Sequence, residues 1–207
     1  MVAEARCKTR HMAQSSAPAI SLPQPSVVRG ENFALRPWSP DDAAALAAIA
    51  DDELLLRWAP LRRGEEDVDA WIATRADWTD HMSWAIVDAD DGVLGGVSVF
   101  QIDEQHANAQ LGYWLAPHAR GRGVAAAAAR LAAAFTFDAL PVQRIALFHS
   151  TENPASCAAA LRAGFLAEGT CRQAWRYPDG RLHDEHLHGL LRTDLLEPVT
   201  NECDPRP

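Results

Sequence analysis

Several features that would decide the class of this protein are scarce or absent. No apolar run approaches the roughly 20 residues that cross a bilayer, although 48% of the residues are hydrophobic. The N-terminus places charges early and lacks the apolar segment of a secretory signal, so we expect a cytoplasmic protein. The four cysteines form no C-x-x-C pair, which argues against a zinc knuckle or a redox dithiol. Acidic residues outnumber basic ones, and the net charge is -9. This argues against a nucleic-acid or membrane partner, because both bind proteins through clustered Lys and Arg.

The length of 207 residues suits a single domain with extended ends. The first residues carry several serines and prolines and little apolar periodicity, and the last ones are polar and contain proline. We therefore predict a disordered N-terminal tail over residues 1–27, one domain over 28–196 and a C-terminal tail over 197–207.

Between the ends, periodicity and turn signals predict an alternation of strands and helices. The predicted strands are 32–38, 83–88, 93–102, 108–116, 144–150, one beginning at 165, 171–177 and 182–190. The predicted helices are a segment capped by Ser39, 68–80, 124–137 and 154–163. This order predicts the α/β class, with a mixed sheet covered by helices.

A glycine-rich turn joins the predicted strand 108–116 to the helix that follows it. Its residues are Arg120, Gly121, Arg122, Gly123, Val124 and Ala125. Unpaired N–H groups and the positive end of the helix dipole favour an anion at such a junction, and glycine lets the backbone approach it. The alternative is a simple connection with solvated arginines. A Walker loop is excluded, because no Gly-Lys-Ser/Thr follows.

This turn, the strand LGYWLAP before it, and ENPAS and LRAGF after it resemble the GCN5-related N-acetyltransferase (GNAT) superfamily. The family motif Arg/Gln-x-x-Gly-x-Gly/Ala is matched by Arg120, Gly123 and Ala125. The resemblance covers roughly residues 31–194 and points to the ribosomal-protein N-terminal acetyltransferase branch. It implies a twisted, mostly antiparallel mixed sheet of about seven strands flanked by helices. It also implies a splay between two central parallel strands, 108–116 and 144–150.

The resemblance further implies acetyl-CoA as co-substrate and no metal. The glycine-rich turn would hold the pyrophosphate, and backbone groups at Leu115 and Ala116 would pair with the pantetheine arm in the splay. Asn153 and Ser156 would face the arm, with Ser156 as the candidate acid for the departing thiolate. Both also have a plainer interpretation, because Asn153 before Pro154 suits a helix N-cap and Ser156 suits a first-turn position.

The expected acceptor is a primary amine. Relatives often carry a carboxylate base where this chain has Gln110 or Trp175. Without either base, an N-terminal amine is favoured over lysine, because its pKa near 7.7 to 8.0 against about 10.4 leaves it roughly a few hundred times more often neutral at pH 7. The resemblance implies that Trp58 and Trp175 flank the acceptor pocket, and His186 is a candidate acceptor-binding residue.

The densest titratable cluster lies in the last predicted strand. Its members are His183, Asp184, Glu185, His186 and His188. It suits an exposed strand, a proton relay or a metal site, and without a supporting cysteine or second cluster we predict no metal. Alternative functions are an acyl-CoA sensor without turnover and an acetyltransferase for small-molecule amines, and nucleic-acid binding ranks last. Similar proteins are often dimers, which leaves a homodimer open.

Overall fold

A computed structural model describes residues 21–59 and 67–195, so most of the predicted N-terminal tail and all of the predicted C-terminal tail lie outside the described residues. The strands are β1 Val28–Arg29, β2 Ala34–Pro37, β3 Met82–Val87, β4 Val93–Asp103, β5 Asn108–Leu115, β6 Arg144–Ser150, β7 Leu166–Arg176 and β8 Leu182–Leu191. The helices are α1 Ala43–Ile49, α2 Glu53–Trp58, α3 Val68–Ala76, α4 Val124–Ala139 and α5 Pro154–Ala163.

All eight strands form one sheet in the order β1-β2-β3-β4-β5-β6-β8-β7. Every neighbouring pair is antiparallel except β5 and β6, which are parallel. The predicted fold class is therefore confirmed. The strand beyond the expected seven is β1, whose two residues are too few to show an alternating pattern.

Helix starts follow local capping signals. Ser39 is the N-cap, as the sequence predicts. The structure adds a capping box between Ser39 and Asp42, and α1 continues from that turn. Helix α2 was not predicted, because only Leu55 of its six residues is buried and its apolar pattern is weak. The predicted helix 68–80 ends earlier, at Ala76, and Trp78 turns into the core with its indole N–H 3.1 Å from Ser83 O.

Two apolar cores lie on opposite faces of the sheet. One packs α4 and α5 against the sheet, and the alanines of α4 allow a close approach. The other packs α1, α2 and α3 around Trp38 and Trp71. Packing also reaches into the predicted N-terminal tail, since Leu22 contacts the first core and Ser26 O accepts a hydrogen bond from Trp84 Nε1 at 3.2 Å. No helix among the described residues is long and apolar enough to span a membrane.

Candidate active site

The parallel strands β5 and β6 part halfway along their length. Residues 108–110 pair with residues 144–146, and beyond them β5 pairs only with β4 and β6 only with β8. The predicted splay is therefore present. It leaves the facing edges of residues 111–115 and 147–150 without a strand partner.

Hydrogen bonding to β4 fixes which backbone groups of β5 face this gap. Ala116 N–H donates to Leu94 O at 2.9 Å. Because backbone groups alternate in direction along a strand, those of Trp114 also face β4, whereas the N–H and C=O groups of Tyr113 and Leu115 face the gap. Leu115 O accepts from Arg120 Nη2 at 3.2 Å. The N–H of Leu115 is therefore the backbone group of this residue that remains available in the gap. Of the two predicted backbone contacts, Leu115 is suitably placed, but the N–H of Ala116 is already used.

The glycine-rich turn is open. Gly121 and Gly123 have φ of 76° and 78°, and a Cβ built on either would meet nothing within 4 Å. Gly123 is the N-cap of the 16-residue α4, and Arg122 is exposed beside it. Within residues 21–59 and 67–195, the N–H groups of residues 121–123 donate to no other group. The junction therefore presents free donors at a positive helix end.

Arg120, by contrast, is turned back into the protein. Its guanidinium pairs with the carboxylate of Asp52, with Nη1 3.1 Å from Oδ2 and a second, shorter contact between Nη2 and Oδ1. Its backbone N–H donates to Pro117 O. The hydrogen bond from Arg120 holds the pKa of Asp52 below its usual range. The placement revises the expectation for Arg120, because its side chain anchors the turn to α2 and does not extend toward a phosphate.

The first turn of α5 follows the end of β6 and contacts Tyr113 of β5 across the gap. Asn153 is its N-cap, with Oδ1 accepting from Ser156 N–H at 3.1 Å, so the plainer interpretation of Asn153 holds. Tyr113 donates from its hydroxyl to Ser156 O at 2.9 Å and lies 3.2 Å from Ser156 Oγ. Burial raises the pKa of Tyr113 to about 12, so the phenol stays protonated. Tyr113 was not predicted as a site residue, although strand alternation places its side chain on the face of the sheet opposite that of Trp114.

A second polar cluster lies beside Trp58, on the α2 side of the sheet. The Trp58 ring contacts Tyr177 at 5.6 Å and His183 at 6.0 Å between centroids. His183 lies between Ser150 and Asp179, with Nδ1 3.0 Å from Ser150 Oγ and Nε2 2.8 Å from Asp179 Oδ2. This arrangement fixes the imidazole next to the end of β6, where the splay is widest.

Glu185 supplies a carboxylate in the same cluster. It is directly across from Ser150 in the β6–β8 register and accepts from Tyr177 OH at 2.9 Å. Burial raises the pKa of Glu185 above its usual range, against the Tyr177 hydrogen bond, which lowers it. A buried carboxylate with a raised pKa suits a general base. The fold therefore provides, on β8, a group that Gln110 and Trp175 cannot provide.

Two predicted acceptor-side residues differ in their surroundings. Trp175 pairs in register with His183 but is 50% exposed, so it lies at the rim of the cluster beside Trp58. His186 contacts His149, and strand alternation directs it to the face opposite His183. His186 therefore lies away from Trp58. Beside the rim, Glu152 forms ion pairs with Arg57 at 2.9 Å and Arg181 at 3.0 Å.

The face of β8 turned to α5 holds another cluster. It consists of His149, Cys157, His186 and His188. Desolvation lowers the pKa of both His149 and His188, which keeps the rings neutral near pH 7. His188 Nδ1 is buried and has no hydrogen-bond partner in the part of the chain that the structure describes.

Comparison with known proteins identifies the class. The family model described as "Acetyltransferase (GNAT) domain" matches residues 32–166. The chain therefore belongs to the GNAT acetyltransferase family, and the protein is an acetyltransferase.

Individual relatives agree with the predicted branch. YdaF of Bacillus subtilis (strain 168) is named provisionally as a ribosomal N-acetyltransferase. It is 28% identical to this chain over 172 residues, which cover 79% of this chain and 93% of that protein. The "Ribosomal-protein-serine acetyltransferase" of Escherichia coli (strain K12) is 25% identical over 121 residues, covering 58% of this chain and 68% of that protein. The solved structure of Mycobacterium smegmatis RimJ in complex with CoA-disulfide has a TM-score of 0.74 at 25% identity, covering 84% and 90% of the two chains.

Proposed function

We propose that this protein transfers the acetyl group of acetyl-CoA to the α-amine of a protein or peptide N-terminus. The observation that carries the proposal is the β5–β6 gap, which runs between an open anion-binding turn and the first turn of α5. The CoA-disulfide complex named for the RimJ structure supports coenzyme A as the ligand of this gap.

The cofactor would be held mainly by backbone groups. The N–H groups from Gly121 to Ala125 bind the pyrophosphate, assisted by the exposed Arg122 and the α4 dipole. The N–H of Leu115 pairs with an amide of the pantetheine arm, because it faces the gap. Arg120 contributes indirectly by fixing the turn to Asp52.

The thioester then lies near Ser156. The amine nitrogen attacks the carbonyl carbon, the C–S bond breaks, and no covalent enzyme intermediate forms. The Ser156 hydroxyl donates a hydrogen bond to the departing thiolate, and Tyr113 fixes Ser156 through its 2.9 Å bond to the Ser156 carbonyl. Complete proton transfer from Ser156 is unnecessary, because a thiol pKa near 8.5 makes the thiolate a modest base.

The acceptor approaches from the Trp58 face, and Glu185 takes the proton that the attacking amine loses. Its buried carboxylate lies opposite Ser150, at the end of the strand that borders the gap. A base with a pKa below that of the amine removes a proton efficiently only from a weakly basic acceptor, which favours an α-amine over lysine. The presence of Glu185 also speaks against a sensor that has lost turnover.

Thiol release from acetyl-CoA tests this assignment with two matched peptides. One has a free N-terminus and no lysine, and the other is Nα-acetylated and carries one lysine. We expect the free N-terminus to react at least about tenfold faster, given its larger neutral fraction. Faster reaction of the lysine peptide would overturn the acceptor class, faster reaction of small amines would favour a metabolite or antibiotic acceptor, and binding without thiol release would favour a sensor.

A further inference from the structure

Four nitrogen and sulfur donors converge on the α5 side of the sheet. His149 comes from β6, Cys157 from α5, and His186 and His188 from β8, and one ligand atom from each lies within 4.8 Å of all the others. The Nε2 atoms of His149 and His188 are 3.0 Å apart, and Cys157 Sγ is 3.8 Å from His188 Nε2. Ligands of a tetrahedral zinc ion lie about 3.3 to 3.8 Å apart, so small side-chain rotations would complete the geometry.

The hydrogen bonding of His149 prepares it as a ligand. Its Nδ1 lies 2.8 Å from the carbonyl oxygen of Ser150, which can only accept, so Nδ1 carries the proton. The lone pair of the neutral ring is therefore on Nε2, the atom that points into the cluster. A ring N–H donated to a backbone carbonyl is the usual outer-shell support of a metal-binding histidine.

We propose that His149, Cys157, His186 and His188 bind one zinc-class transition-metal ion. Three imidazoles and a thiolate, with no carboxylate, suit zinc or cobalt and disfavour magnesium or calcium. His149 and His188 are buried, whereas Cys157 and His186 are partly exposed and give the ion a route into the site. The ion would fix the first turn of α5 to β6 and β8, and this inference is independent of the acceptor class.

Cobalt titration of the full-length metal-free protein gives a direct test. Thiolate coordination produces a ligand-to-metal charge-transfer band, and tetrahedral geometry produces strong visible bands. We expect one equivalent of Co²⁺ to give both features and one equivalent of Zn²⁺ to remove them. Cys157→Ser keeps the size of the side chain but should abolish the charge-transfer band. His186→Gln should weaken Zn²⁺ binding by at least about 100-fold in competition with a chromogenic chelator.

Matched controls separate the cluster from other donors. Cys171→Ser and His106→Gln change the same residue types outside it and should leave binding within about twofold of the unsubstituted protein. Zinc should also raise the melting temperature of the unsubstituted protein and of both controls more than that of Cys157→Ser. A missing charge-transfer band, or one that persists in Cys157→Ser, would overturn the proposal. Unchanged zinc affinity in His186→Gln would overturn the four-ligand assignment.

Discussion

Replacing Asp52 tests whether the glycine-rich turn depends on the Asp52–Arg120 ion pair, which lies outside the proposed contacts to the cofactor. The Asp52 carboxylate caps α2 by accepting from Leu55 N–H at 3.0 Å, and it pairs with Arg120. Asp52→Asn keeps a good N-cap and removes the charge, whereas Asp52→Ala removes both. Comparing the two variants therefore separates the cap from the ion pair.

The structure sets the expected magnitudes. Losing the cap costs about 1 kcal/mol of unfolding free energy. The side chains of Arg120 and Asp52 are 29% and 17% exposed, so their pair should contribute about 1 kcal/mol, above most surface pairs and well below a buried one. We expect losses of about 1 kcal/mol for Asp52→Asn and about 2 kcal/mol for Asp52→Ala. If the released turn binds the cofactor about 1 kcal/mol more weakly, KM for acetyl-CoA rises about fivefold.

The pH dependence has a definite sign. The Arg120 hydrogen bond lowers the pKa of folded Asp52 below its ordinary value of 3.8. The stabilisation is therefore complete above that ordinary value and is lost as the pH falls through the lower, folded value. The difference in unfolding free energy between the unsubstituted protein and Asp52→Asn should shrink below pH 4.

Urea denaturation and acetyl-CoA kinetics measure these effects. A double-mutant cycle of Asp52→Asn with Arg120→Gln should give a coupling energy of about 1 kcal/mol. Asp51→Asn, an exposed neighbour, serves as the control and should change neither quantity. Additive effects within about 0.3 kcal/mol, together with an unchanged KM, would refute the anchoring role of Arg120.

Three further predictions concern the site itself. Gly123→Ala and Gly180→Ala should each lose about 1 kcal/mol of stability, because both positions have φ of 78° in open space, but calorimetry should show about tenfold weaker acetyl-CoA binding only for Gly123→Ala. Equal affinities would contradict the phosphate assignment. Ser156→Ala should lower kcat about 10- to 100-fold with little change in KM, and an unchanged kcat would show that Ser156 is only structural. Glu185→Gln should lower kcat/KM about 100-fold and remove the rise of the rate with pH as Glu185 ionises; a preserved pH profile would exclude it as the base.

The Glu185 substitution also has a stability consequence. Burial raises the pKa of folded Glu185 above its ordinary value of 4.5, so its favourable contribution is complete below that value and is lost as the pH rises through the raised one. Glu185→Gln should therefore gain stability relative to the unsubstituted protein between pH 4 and pH 7. Chemical denaturation at the two pH values measures this gain, and a relative loss over the same range would contradict the buried-charge interpretation.

Local sequence signals predicted those elements whose boundaries depend on neighbouring residues. Strand β6 and helix α5 have the predicted bounds, because a strand rich in apolar residues, an N-cap with proline and a terminal glycine are all local features. The splay followed from the family resemblance and not from periodicity. Helix α2 was missed because a short helix with one buried residue leaves almost no periodic signal.

The roles of site residues were harder to predict, because they depend on contacts between distant segments. Arg120 was expected to contact phosphate, but its partner Asp52 is 68 residues away. Strand alternation could have separated His183 and Glu185 from His186 in the sequence. It could not show which set faces the acceptor, since that depends on where α2 places Trp58.

The two faces of β8 carry different groups, and only one of them packs against α5. His183 and Glu185 line the face where the acceptor is proposed to enter, and the histidines on the other face surround Cys157. Cys157 directly follows Ser156, which Tyr113 holds from the opposite side of the gap. Tyr113 thus contacts Ser156 from a strand bordering the gap, and the proposed ion would hold the neighbouring Cys157 from behind. Substituting a residue of that cluster should therefore shift Ser156, and with it the contact to the thioester, although the substituted residue itself does not contact coenzyme A.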